Sequence, residues 1–147
     1  MMEALHVKKQ PVPATLYLVD GSVDSGTIFL AQQSIHRSGA ETIGELLTDD
    51  HEPMLPFRIR GERFQLIGKA GIAAIRAVSG AEPIGFYGKA HAVIELVGGH
   101  RFDGQLLFEE GHGKRISDAI REPWMRLETQ AGLVWANRPQ ILRIETR

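Results

Sequence analysis

Residues 18–30 recur in altered form at residues 96–108, and this recurrence limits the fold more than any other feature of the chain. Leu18/Leu96, Val19/Val97, Gly21/Gly99, Gly26/Gly104 and Ile28/Leu106 align without a gap. The match continues in the same order. Ile43-Gly44-Glu45-Leu46-Leu47 corresponds to Ile116-Ser117-Asp118-Ala119-Ile120, Glu52-Pro53-Met54-Leu55 to Glu122-Pro123-Trp124-Met125, and Phe64-Gln65-Leu66 to Leu133-Val134-Trp135. Length differences fall only where loops are expected, which is how a duplicated structural unit reads. The expected organisation is a tail over residues 1–12, a first unit over 13–78, a linker over 79–90 and a second unit over 91–147.

Within each unit the apolar residues alternate, the period of a half-buried strand. Leu16 and Leu18 fall on one side and Thr15 and Tyr17 on the other. Asp20-Gly21 and Gly98-Gly99 are hairpin signals, because glycine reaches the positive φ of tight turns. The returning strands place Gly26, Ile28 and Leu30, or Gly104, Leu106 and Phe108, on one face. Phe29 and Leu107 then point the other way, toward the second copy, another subunit or a covering helix. Ser38-Gly39-Ala40-Glu41 has capping-box spacing ahead of Ile43, Leu46 and Leu47, and predicts a short helix with one apolar stripe. Ile116, Ala119 and Ile120 predict its counterpart. Leu55, Phe57 and Ile59 form a third strand, Gly61 a turn, and Phe64 and Leu66 a fourth strand with Phe64 facing inward. A fifth strand follows near residues 73–78 and again near 141–145.

The expected class is mainly β with short helices, as two tandem ββαβββ repeats packed into one pseudo-symmetric body. Five short strands and a helix in about 60 residues give a small bent sheet or partly open barrel. The pattern resembles the Sm-like and SH3-like small barrels, although Sm-like proteins carry their helix before the first strand. That difference forbids carrying over any RNA-binding residue. A unit this small buries only about 60 % of its unfolded surface, so the copies are expected to pack together. Ile84, Phe86 and Tyr87 in the linker would lie in the seam.

Charge and composition narrow the function. Seventeen basic and eighteen acidic residues leave a net charge of -1, with no overall pull toward nucleic acid or anionic lipid. No apolar run reaches the ~20 residues that span a bilayer, and the start has no signal-peptide core, so a cytoplasmic protein without membrane insertion is expected. The absence of cysteine excludes disulfides and thiolate chemistry. Six histidines, at positions 6, 36, 51, 91, 100 and 112, lack metal-site spacing, and His100 and His112 read as solvated loop residues. No serine sits in Gly-x-Ser-x-Gly, no carboxylate pair is placed in one cleft, and no phosphate-cradling glycine loop occurs. Asp20-Gly21-Ser22-Val23-Asp24-Ser25 begins the Asp-x-Ser-x-x-Gly pattern of PilZ-like cyclic di-GMP receptors, but serine stands where glycine is required and no Arg-x-x-x-Arg precedes it. No catalytic residue, metal or cofactor is expected.

What remains is a non-enzymatic interaction or scaffold module that binds a protein partner or another copy of itself. Its candidate contacts are Phe29, Leu107, Phe86, Tyr87 and Trp124. One alternative is a nucleic-acid-binding small barrel using Arg58, Arg60, Arg63 and Lys69 around the Gly61 turn. Another is a small-molecule site between the repeats.

Overall fold

The computed structural model describes residues 9–35, 39–61, 63–77, 87–109 and 121–147. The predicted alternation is realised as ten strands. The first half contains β1 (Lys9–Leu18), β2 (Val23–Ala31), the helix α1 (Ile43–Thr48), β3 (Met54–Ile59), β4 (Phe64–Gly68) and β5 (Ile72–Ala77). The second contains β6 (Tyr87–Leu96), β7 (His100–Glu109), β8 (Trp124–Thr129), β9 (Gly132–Asn137) and β10 (Ile141–Thr146). All pair antiparallel in one open sheet of order β10-β6-β7-β8-β9-β5-β1-β2-β3-β4. The protein is thus mainly β with little helix, and its strands run on as one open sheet, where two small bent sheets or partly open barrels packed into one body were expected. The expected helix near Ile116 and Ile120 lies outside the described residues.

Local chemistry accounts for the turns. Gly21 (φ 94°), Gly98 (φ 94°) and Gly99 (φ 81°) supply the positive φ that closes the β1–β2 and β6–β7 hairpins. Asp20 completes the first turn by accepting from the Ser22 amide (2.9 Å) and hydroxyl (2.6 Å). These bonds hold its carboxyl below the usual range, the hydroxyl contributing most. β1 starts at Lys9, inside the stretch read as a tail. Its register with β5 covers only Thr15 to Leu18, so Pro11 and Pro13 lie where one side of the strand has no ladder partner to lose.

Helix α1 carries its expected stripe, with Ile43, Leu46 and Leu47 buried. Its N-cap, however, is Thr42 and not Ser38, which lies outside the described residues. Thr42 Oγ1 accepts from the Glu45 amide at 3.1 Å, and Glu45 Oε1 accepts from the Thr42 amide at 2.9 Å, a capping box shifted four residues along the chain. A six-residue helix has no independent stability, so its place depends on this cap and on burial of the stripe.

Two cores lie on opposite faces of the sheet. One gathers Leu16, Ile28, Leu30, Leu55, Phe57 and Ile75 beneath α1; the other gathers Ile94, Leu96, Leu106, Met125, Leu127 and Val134. Each borrows from the other half. Trp124, Trp135 and Leu133 pack into the first core, while Tyr17, Val19, Ala73 and Ala74 pack against the second. The exchange follows from the β5–β9 register, which pairs Ile75 with Trp135 on one face and Ala74 with Ala136 on the other. One strand pair therefore serves both cores.

Candidate functional site

Among the described residues β4 and β10 have one strand neighbour each and form the two ends of the pairing order. The β4 end departs most from expectation. The turn after Ile59 sets the register Arg58↔Phe64 and Pro56↔Leu66, so Phe64 and Leu66 share the face of Arg58, opposite Phe57. Phe64 therefore does not face inward. Phe64 is 57 % and Leu66 59 % exposed, and Met54, on the same face of β3, is 40 % exposed. Phe29 joins them, its ring centroid 5.9 Å from that of Phe64, with the Arg58 guanidinium 5.3 Å from the Phe29 centroid. The result is an apolar patch beside an open edge, a feature that marks interaction surfaces. At the opposite end Leu142 of β10 is 65 % exposed.

The other candidate contacts are placed differently. Leu107 and Trp124 are buried, Trp124 within the first core. Phe86 and the side chain of Tyr87 lie outside the described residues. Of the basic set, Arg58, Arg60 and Arg63 are exposed around the Gly61 turn. Lys69 is not at the surface. Its ammonium donates to the carbonyls of Leu46 (2.6 Å) and Asp49 (3.1 Å), closing the C-terminal end of α1 as a cation there should. Burial pushes its pKa down, against the nearby Asp49 and Glu52 carboxylates.

His100 departs from the solvated-loop reading, and His112 lies outside the described residues. His100 is buried where the two hairpins meet, and its Nε2 donates to the Leu18 carbonyl at 2.7 Å, since a carbonyl can only accept. Its ring stands edge-on to Tyr17, centroids 5.3 Å apart. His91 Nε2 bonds Asp103 Oδ1 at 2.5 Å. This bond lowers the Asp103 pKa below its ordinary 3.8. A lowered acid pKa means the native state holds fewer protons than the unfolded chain below pH 3.8, so this contribution is complete above that value and disappears as the pH falls through the native pKa. Urea titrations of Asp103→Asn are accordingly expected to show a shallower loss of stability below pH 4 than the wild type. An unchanged acid limb would contradict this role for Asp103.

Among the described residues no three histidine or carboxylate side chains converge as a metal site, and no helix is long and apolar enough to cross a membrane. The residues that sequence reasoning missed are Met54, Phe64 and Leu66. Their signal was the length of the turn around Gly61, which fixes parity. Compared with protein-family models, curated proteins and solved structures, the chain matches none.

Proposed function

We propose that the chain is a protein-interaction module that works by strand addition, and that the partner its edges fit is another copy of itself. One observation carries this reading: the β5–β9 junction inside the chain is a template for pairing the two strands left open. The repeat alignment makes β4 the counterpart of β9 and β10 the counterpart of β5. The strand successions β5-β1-β2-β3-β4 and β10-β6-β7-β8-β9 support that assignment. At the junction Leu133 and Trp135 of β9 are covered by the neighbouring half. Their counterparts on β4 are Phe64 and Leu66, the two exposed side chains of the edge patch. Transferring the register Arg76↔Val134 and Ile75↔Trp135 gives Glu145↔Gln65 and Ile144↔Leu66 between two chains.

The contact is head-to-tail, so every added copy leaves one β4 and one β10 free, and growth ends only if the rotation closes a ring. Main-chain hydrogen bonds would supply much of the affinity and the alternate side chains the specificity. The open ends are less apolar than the internal junction. The counterparts of Tyr17 and Ala74 are Glu95 and Arg143, which form a 3.0 Å ion pair. The intermolecular contact is therefore weaker than the internal one and reversible with concentration.

Sedimentation velocity over a wide concentration range tests this. Wild-type protein is expected to pass beyond the dimer as concentration rises, and Phe64→Lys/Leu66→Lys to remain monomeric with an unchanged melting curve, since both side chains are already exposed. A wild type that stays monomeric at every concentration would refute self-association, as would a variant that associates equally well.

A further inference from the structure

The same face of the first half carries a second site, reached from the apolar patch through Arg58. β1, β2, β3 and β5 form a groove of about 400 Å³ whose lining includes Thr15, Ser25, Thr27, Arg58, Arg60 and Arg76. The sheet register builds it. Thr15 lies opposite Ser25 on one side and Arg76 on the other, and Thr27 lies opposite Arg58. The Arg60 amide donates to the Ser25 carbonyl at 3.0 Å, which places Arg60 beside Ser25. A row of hydroxyls is thus flanked from both sides by guanidinium-bearing residues. Among the described residues the groove lining contains no carboxylate, and none of these three arginines has an ion-pair partner there.

The second half provides an internal contrast at the same strand positions. There the groove, about 690 Å³, is lined by His91, Asp103, Gln105 and Glu128. Glu128 stands at the position of Arg58, Asp103 at that of Ser25, and Glu145, opposite Val93, at that of Arg76. Every one of those acids has a basic partner. Lys89 pairs with Glu128 at 3.0 Å, His91 with Asp103, and Arg147 with Glu145 at 3.4 Å. The second groove balances its own charge, and the first concentrates three cations that no described residue balances. Like charges held together on a fixed sheet oppose folding unless an anion from outside joins them.

We infer that the Arg58–Arg60–Arg76 groove binds a small ligand bearing a phosphate or pyrophosphate group. Guanidinium forks suit oxyanions, because parallel N–H donors match two oxygens at once. The hydroxyls of Thr15, Ser25 and Thr27 add neutral donors at the floor. Arg76 is already steadied there: its Nη2 lies 3.4 Å from Thr15 Oγ1 and its guanidinium 5.9 Å from the Tyr17 ring centroid. The concave volume favours a compact ligand over an extended polymer, which would need a basic track continuing beyond the groove. Lys69, the fourth member of the expected basic set, is bound to α1 and does not extend one.

The test is an NMR titration of the isotope-labelled full chain with sodium pyrophosphate at constant ionic strength, and in parallel with a twelve-residue thymidine oligonucleotide. Pyrophosphate is expected to shift the amides of Thr15, Ser25 and Thr27 saturably. Arg58→Glu/Arg76→Glu, which installs the acids found at the corresponding second-half positions, is expected to weaken binding roughly tenfold or more, since charge-assisted bonds are lost. Arg60→Gln, a milder change in a turn, should weaken binding severalfold and covers the event that the double variant does not fold. Absence of saturation, shifts centred on another face, or equal affinity in folded variants would overturn the proposal. Binding of the oligonucleotide without binding of pyrophosphate would also overturn it, in favour of a nucleic-acid surface.

Discussion

Replacing Trp135 by alanine is expected to lower the free energy of unfolding by about 3–5 kcal/mol, the range for truncating a large buried aromatic. That is a large part of the roughly 5–15 kcal/mol available to a domain. Trp135 is 1 % exposed, and although it belongs to a strand of the second half it packs in the core of the first. Its loss removes packing at the junction as well as filling volume. Trp135→Phe separates the two contributions. Phenylalanine keeps most of the ring and removes an indole N–H that has no hydrogen-bond partner among the described residues, so part of the lost packing is offset by relief of an unsatisfied donor. A cost of about 1–2 kcal/mol is expected for it on the scale of conservative core changes. Urea unfolding of both variants checks this, and an alanine variant within about 1 kcal/mol of wild type would show that Trp135 does not hold the junction.

The second large effect concerns Gly26 and Gly104. Each sits where a strand crosses its neighbour closely, and the β2–β3 and β7–β8 registers are correspondingly short. A Cβ at Gly26 would meet the Arg58 carbonyl oxygen and, at 2.7 Å, the Phe57 ring; at Gly104 it would meet the Glu128 carbonyl oxygen. Backbone cannot swing aside as a long side chain can. Alanine at either position is therefore expected to cost about 1–3 kcal/mol, and the two losses to add, because the sites touch different strand pairs. Gly71→Ala serves as the control, since its Cβ would have open space around it and no positive φ is required. Thermal or chemical denaturation in which Gly26→Ala matched Gly71→Ala would remove the close crossing from the account.

Much of this fold can be read locally. The alternation of Leu16 with Tyr17, and of Leu55 and Phe57 with Pro56 and Arg58, already assigns each side chain to one face of the sheet or the other. The glycines at 21, 98 and 99 mark hairpins because few other residues take the φ they have. The stripe of Ile43, Leu46 and Leu47 predicts a helix whose burial agrees in detail. Locality fails at two kinds of position. The first is parity after a turn: the loop around Gly61 sets Phe64 opposite Arg58, and one residue more or less would have sent Phe64 into the core. The second is burial by the other half. Leu133 and Trp135, which align in sequence with Phe64 and Leu66, are covered, and the β5–β9 pairing is what covers them. His100 and Lys69 belong to this second kind, each tied to backbone carbonyls far away in sequence, Leu18 for one and Leu46 with Asp49 for the other. The arginine groove was half legible. The charges at 58 and 60 stand out in sequence, but Arg76 and the hydroxyls reach them only through three strand registers.

The head-to-tail reading is tested most directly by cysteine pairing, for which the chain offers a clean background because it contains no cysteine of its own. Residues directly opposite in an antiparallel pair lie about 4.5–5.5 Å apart at Cα, within the span a disulfide bridges. Gln65→Cys and Glu145→Cys combined in one chain place one thiol on each open edge at the register copied from the β5–β9 junction. Mild oxidation is then expected to yield a ladder of covalent multimers extending past the dimer, or one closed ring, all collapsing to monomer on reduction, with neither single variant giving the ladder. Monomer that stays monomer on oxidation, or products that stop at a dimer holding one disulfide and two free thiols, would contradict the account.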